Sequence, residues 1–264
     1  MKRMIDVLIF LAAIYLFSCS ALYFLQDKLI FFPPVPIKDV YQSVRQNEIS
    51  FLINDELRHG WKINVDPVKN KTILYFGGNA EDVVYLNDEA KEFKVRQMIS
   101  VNHPGYGKSI GTPSQENFYK NALDVYDQVI NEYQLRSDEI IVVGRSLGSS
   151  VATYLAANRN IAGLILITPF DSIENMAAKQ YKFFPVRYLL KHPFPTMDYI
   201  NKVKYPVLMM AAEKDEIIPD EHLKQLYLFA GKNNKLIQYA GVGHNTIQTH
   251  HNYYNEINNF IGSL

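Results

Sequence analysis

The chain reads as an α/β protein: a mostly parallel, eight-stranded sheet with helices on both faces. Three observations lead there. From residue 72 onward, short β-branched runs alternate with helical patterns, which is the signature of a parallel sheet covered on both sides. Before that point, two strand-like stretches flank Asn54-Asp55 and read as an antiparallel hairpin. One run, Ile140-Ile141-Val142-Val143, then passes straight into Gly144-Arg145-Ser146-Leu147-Gly148 and an Ala-rich helical pattern. Strand, Gly-x-Ser-x-Gly, helix is the order that a sharp, nucleophile-bearing turn requires.

Bulk properties narrow the field. The 264 residues, 48% of them hydrophobic, suffice for one large core. Lys+Arg and Asp+Glu both number 27. With no basic stripe, nucleic acid drops out as a partner. Cys19 is the only cysteine, so no internal disulfide or Cys-rich zinc site is expected. Seven histidines include no His-Glu-x-x-His, and His250-His251 lacks the spacing for a shared helix face. Neither a metal nor a cofactor is expected.

Residues 1–27 read as a membrane anchor. Lys2 and Arg3 precede an apolar run from Val7 to Leu25, broken only by Ser18, Cys19 and Ser20. Nineteen residues at the helical rise span about 28 Å, close to the hydrocarbon thickness of a bilayer. The run exceeds a signal-peptide core and lacks a small-x-small cleavage site, which favours an uncleaved anchor. Two other readings compete: a cleaved signal, and a lipoprotein signal at Leu16-Phe17-Ser18-Cys19, where Phe17 is bulky for that motif. Lys2 and Arg3 predict a cytoplasmic N-terminus, hence a single-pass protein with residues 28–264 on the extracytoplasmic side. Phe31-Phe32-Pro33-Pro34-Val35-Pro36 follows as a stiff connector whose aromatics pack on the domain or meet the lipid interface.

Within the domain, strands are expected at 48–53, 61–65, 72–76, 97–102, 139–143, 163–168, 206–211 and 235–239. Helices are expected at 81–93, 114–133, 146–158, 221–229 and 247–261. Ser114 and Asn117, with Leu123, Val125, Val129 and Ile130, give the second of these a cap and a buried stripe. Residues 169–205 interrupt the alternation, with four prolines interleaved with aromatics such as Phe183 and Tyr188. A connection this long between two sheet strands is expected to form a small helical lid over the carboxyl edge, where open α/β sheets bind ligands. Ordinary core helices are the alternative.

A serine hydroxyl is a poor nucleophile until a base takes its proton, and the base needs a third group to orient it. In this architecture the chain order is Ser, then Asp or Glu, then His. His244 lies in Gly241-Val242-Gly243-His244-Asn245, just after the last strand, and is the expected base. His192, His222, His250 and His251 are less well placed, and His103 precedes the serine. Asp215 follows the strand at 206–211 and is the expected acid, with Glu213, Glu216 and Asp171 as rivals. Two backbone N–H groups must receive the oxyanion. Leu147, next to the nucleophile, and Asn79, in the loop Gly77-Gly78-Asn79-Ala80 after the strand at 72–76, are the candidates.

These motifs resemble the serine α/β-hydrolase superfamily. Similarity is strongest to a membrane-tethered branch that includes eukaryotic protein depalmitoylases and uncharacterised bacterial hydrolases. The resemblance rests on Gln26-Asp27-Lys28-Leu29-Ile30-Phe31-Phe32-Pro33, Gly78-Asn79-Ala80-Glu81, Pro104-Gly105-Tyr106-Gly107-Lys108-Ser109, the Ser146 turn, Asp215-Glu216-Ile217-Ile218-Pro219 and Gly243-His244. It implies Ser146, Asp215 and His244 as a triad, with oxyanion donors at Asn79 and Leu147. Gly77 stands where the branch commonly has His, and Asn102-His103-Pro104 replaces Asp-Tyr-Arg. Residues and resemblance together predict an anchored esterase or thioesterase acting on acyl or lipid-like substrates. A peptidase or amidase on the same triad, or a non-catalytic binding protein with the same fold, is the alternative.

Overall fold

One sheet carries the domain in the computed structural model, which describes residues 1–231 and 234–264. Among the described residues the strands are β1 (Glu48–Ile53), β2 (Glu56–Asn64), β3 (Thr72–Phe76), β4 (Gln97–Val101), β5 (Ile140–Arg145), β6 (Gly163–Ile167), β7 (Val207–Ala212) and β8 (Asn234–Tyr239). Their order across the sheet is β1-β2-β4-β3-β5-β6-β7-β8. β1 and β2 pair antiparallel, as do β2 and β4; every later pairing is parallel. The β1–β2 turn falls at Asn54 and Asp55, whose φ values of 50° and 63° suit the tight hairpin turns that Asn and Asp favour.

The helices are α1 (Lys2–Ile30), α2 (Lys38–Ser43), α3 (Leu86–Glu89), α4 (Gln115–Tyr133), α5 (Leu147–Asn158), α6 (Ile173–Gln180), α7 (Val186–Leu189), α8 (Thr196–Ile200), α9 (Asp220–Phe229) and α10 (Tyr253–Gly262). The strands' two-residue period sorts the core into two layers. Ile140 and Val142 of β5 face one layer with Phe118 and Val125 of α4 and Val151 and Leu155 of α5. Ile141 and Val143 face the other with Val83, Leu86, Ile257 and Ile261. Each such side chain, withdrawn fully from water, contributes roughly 1.5–3 kcal/mol. Ser114 caps α4 as expected, its Oγ accepting from the Asn117 N–H at 3.0 Å.

Three elements differ from the sequence reading. β2 starts at Glu56 rather than 61, because Arg58 and His59 are buried despite their polarity. Arg58 is neutralised locally, donating to Asn121, the Ile110 carbonyl and Glu56. The expected helix at 81–93 breaks into a 3-10 turn at Val83–Tyr85, α3, and a second 3-10 turn at Ala90–Glu92. Asp82 pins its start, accepting from the Val84 N–H, the Tyr41 hydroxyl and the Asn102 amide, and holds the first turns tight. The last helix likewise splits into a 3-10 turn at Ile247–Thr249 and α10.

The N-terminal helix runs to Ile30, three residues beyond the expected end of the anchor at residue 27, and is long and apolar enough to cross a membrane. Of the connector aromatics, Phe31 is buried against Phe118 and Phe194, while Phe32 is exposed. Residues 169–205 supply α6, α7 and α8. The later part packs into the core through Phe194, Thr196 and Ile200; Phe183 and Tyr188 stand exposed.

Candidate active site

The turn from β5 into α5 is sharp because two glycines let backbones meet. A Cβ on Gly148 would lie 2.2 Å from the Phe76 carbonyl oxygen, and one on Gly144 would lie 2.3 Å from the Gly148 carbonyl oxygen. Between them Ser146 adopts φ 49°, ψ −118°. That conformation costs a non-glycine residue on the order of 1–3 kcal/mol. It is held by the Ser146 N–H, which donates to the Ile167 carbonyl at 2.8 Å.

Ser146 Oγ lies 3.0 Å from His244 Nε2. On the far side of the ring, His244 Nδ1 lies 3.0 and 2.9 Å from Asp215 Oδ1 and Oδ2. An ionised carboxylate can only accept, so Nδ1 carries the proton and Nε2 is left to accept from the serine hydroxyl. Asp215 is fixed in turn by the N–H groups of Ile217 and Ile218, which donate to Oδ1 at 3.0 and 2.8 Å. The side chains of His244 and Asp215 are 4% and 10% exposed, so their interaction is little screened by water.

The rival acids are otherwise engaged. Glu216 accepts from the His244 backbone N–H, Glu213 from the Gly241 N–H, and Asp171 meets His222 Nδ1 at 2.9 Å. His192 bridges the Gln115 N–H and Asp27. His103 is buried beneath the β3 loop, stacked on Phe118, with Nε2 donating to the Gly77 carbonyl at 2.9 Å. Burial pushes its pKa down to about 4. It supports the loop as a neutral ring.

Asn79 sits in that loop beside Ser146; a Cβ on the neighbouring Gly78 would lie 3.4 Å from Ser146 Cβ. Gly78 spends its own N–H on Glu81 Oε2, and among the described residues Asn79 N–H and Leu147 N–H have no intramolecular acceptor. The Asn79 side chain ties the loop to the end of α1: Nδ2 donates to the Ile30 carbonyl at 2.7 Å, and Oδ1 accepts from the Phe32 N–H and the Tyr106 hydroxyl. Sequence reasoning missed two residues here. Glu81 accepts from the Tyr75 hydroxyl and the Gly78 N–H and pairs with Arg145 at 3.6 Å, linking the β3 loop to the serine turn. Tyr106, in the Pro-Gly-Tyr-Gly motif, fixes Asn79. The motif marked the position but not the partner. Ser146, Leu147, His244, Asn79, Phe32 and Met176 line a common cavity of about 750 Å³. Among the described residues no group of His, Cys, Asp or Glu is arranged to hold a metal.

A family model described as the alpha/beta hydrolase fold matches residues 72–197, a span that includes Ser146 and ends before Asp215 and His244. The alpha/beta hydrolase domain-containing protein WAV2 of Arabidopsis thaliana is 28% identical over 236 residues, 79% of this chain and 77% of that protein. Alpha/beta hydrolase domain-containing protein 17B of Xenopus tropicalis is 27% identical over 206 residues, 75% of this chain and 69% of its own. Among solved structures, an esterase of Pyrococcus furiosus superposes with a TM-score of 0.67 at 18% identity, covering 89% of this chain and 97% of the esterase. By sheet order, family model and structural superposition, the chain has the alpha/beta hydrolase fold.

Proposed function

We infer that the protein is a serine hydrolase of carboxylic esters or thioesters carrying acyl or lipid-like groups. The observation that carries this reading is the relay from Ser146 Oγ to His244 Nε2 at 3.0 Å and from Nδ1 to Asp215 at 2.9 Å, opening on one cavity. Ser146 Oγ attacks the carbonyl carbon while His244 Nε2 takes its proton. Asp215 keeps Nδ1 protonated and stabilises the imidazolium. Asn79 and Leu147 N–H groups receive the oxyanion. As the tetrahedral intermediate collapses, His244 returns the proton to the departing alcohol or thiol, leaving an acyl-Ser146 ester. A water molecule deprotonated by His244 then attacks that ester, and Ser146 leaves with the proton as the carboxylic acid departs. Helix α1 serves as a single-pass anchor, with the basic Lys2 and Arg3 end cytoplasmic and the domain on the opposite side.

The test is hydrolysis of a p-nitrophenyl ester series, from acetyl to palmitoyl, by the full chain in detergent. The expected result is turnover that disappears in Ser146→Ala. Turnover that persists in that variant, or hydrolysis of amides but of no ester, contradicts the reading.

A further inference from the structure

Next to the Ser146 cavity lies a second chamber of about 520 Å³, inside the size range of small-molecule sites. The two share Leu29, Ile30, Ile173, Met176 and Ile217 as walls. One side of the chamber is the last turns of α1, through Leu22, Gln26 and Leu29; the other is α6, α7 and the turn between them, through Ala177, Val186 and Phe184. Three of its polar residues are held by protein partners. Gln26 donates to the Leu189 carbonyl and accepts from the Lys191 N–H, Lys179 pairs with Glu221, and His222 meets Asp171. What remains facing the space is chiefly hydrocarbon.

The depth of this chamber follows from α1. Tyr15 donates its hydroxyl to the Phe183 carbonyl at 3.0 Å and stacks on Phe184, with ring centroids 5.9 Å apart. Tyr15 lies eight residues from Val7 and ten from Leu25, so it sits about 12 to 15 Å inside either end of the apolar run. As a span, α1 carries Phe183 and Phe184, which meet Tyr15, into the bilayer, and the chain runs from there back to Leu189 beside Gln26. Phe183 and Tyr188, 89% and 84% exposed, suit that surrounding. Arg187, two residues before the Leu189 carbonyl that accepts from Gln26, is near enough to the end of α1 for its long stem to carry the charge to the headgroups. The level of those headgroups is marked by Asp27, Lys28, Lys191 and His192 at the end of α1.

We propose that the chamber between α1 and α6–α7 holds the acyl chain of a membrane-resident ester, which enters laterally from the bilayer, and that the spanning helix is itself a wall of the substrate site. The proposal rests on the hydrolase reading above and adds where the chain lies and from where it comes.

The test uses the full chain in phosphatidylcholine vesicles. A diazirine-bearing palmitic acid, photolysed in those vesicles, is expected to crosslink to peptides covering residues 22–30 and 173–190 in wild type and in Ser146→Ala alike. Ala177→Trp, which fills the chamber and does not line the Ser146 cavity, is expected to cut that crosslinking and to lower the ratio of palmitoyl to acetyl ester hydrolysis by about tenfold or more, the scale of discrimination that lost methylene contacts supply. An exposed lid-tip variant, Phe183→Asp with Tyr188→Asp, leaves the chamber intact and is expected to slow palmitoyl ester hydrolysis in vesicles more than in detergent. Crosslinks confined to the first turns of α1, or an unchanged ratio in a folded Ala177→Trp protein, overturn the proposal while leaving acetyl ester hydrolysis to support the hydrolase. Failure of every ester with the crosslinks intact overturns the hydrolase reading and leaves an acyl-binding chamber.

Discussion

Ser146 is held where a side chain is uncomfortable, and everything that touches it explains why the strain persists. Its N–H extends the β5–β6 pairing, its carbonyl accepts from the Ser149 hydroxyl at 2.6 Å, and its Oγ meets His244. The three candidate residues were readable because each follows a strand in a fixed chain order. Ser146 and His244 also sit among glycines. Asp215 was expected as the acid from its place after β7; what was not readable is what each carboxylate meets, the Ile217 and Ile218 N–H groups for Asp215 and other partners for Glu213, Glu216 and Asp171. His103 shows the same limit. Its environment is made by Phe118 and Gly77, 15 and 26 residues away in the chain. With its pKa pushed down to about 4, His103 stays neutral in the folded protein while the unfolded chain takes up a proton below about pH 6.5. Stability is therefore lost as pH falls through that window, by roughly 3 kcal/mol in all at pH values below 4. His103→Phe keeps the stacking and loses the bond to Gly77. Thermal unfolding in detergent is expected to find it less stable than wild type at pH 7, with the gap closing or reversing toward pH 4.

Elements were legible in proportion to how local their causes are. The β-branched runs of β3, β5, β6 and β7 announce buried parallel strands, and their observed ends differ from the expected ones by a residue or two at most. Ser114 announces α4. The helix expected at 81–93 failed because Asp82 is captured by Tyr41 and Asn102, contacts that no local pattern encodes. The long α1 also hid its end: Gln26, Asp27 and Lys28 look like a polar exit from a membrane, yet Gln26 is buried and bonded to Leu189 and Lys191. The serine turn is the element with least tolerance. Adding a methyl at Gly148 presses on the backbone oxygens of Phe76 and Gly77 at 2.2 and 2.4 Å, and these cannot rotate away. Gly148→Ala is expected to lose about 3 kcal/mol of stability, the upper end for forced overpacking, and to move the β3 loop that carries Asn79. Thermal unfolding and ester turnover, compared with the exposed Asn158→Ala, check both effects.

At the scale of the molecule, α1 and the domain are one body rather than a tether and a cargo. At about 43 Å the helix exceeds the hydrocarbon thickness of a bilayer. Its last turns are bonded to the loop bearing Asn79, to the end of α7 and to Lys191 just after it. The machinery is thus braced from two sides: by β5, β7 and β8, which deliver Ser146, Asp215 and His244 to one edge of the sheet, and by the N-terminal helix. Experiments on the full chain are for that reason more informative than those on residues 28–264. The most direct is treatment of the full-length protein in detergent with an alkyl fluorophosphonate, followed by mass spectrometry of the peptide containing Ser146. The account predicts a single phosphonyl adduct on Ser146, absent in Ser146→Ala and formed about 10⁴-fold more slowly in Asp215→Asn, the scale of loss when the base is held in the wrong tautomer. No adduct at Ser146, or labelling at an unchanged rate in Asp215→Asn, would contradict it.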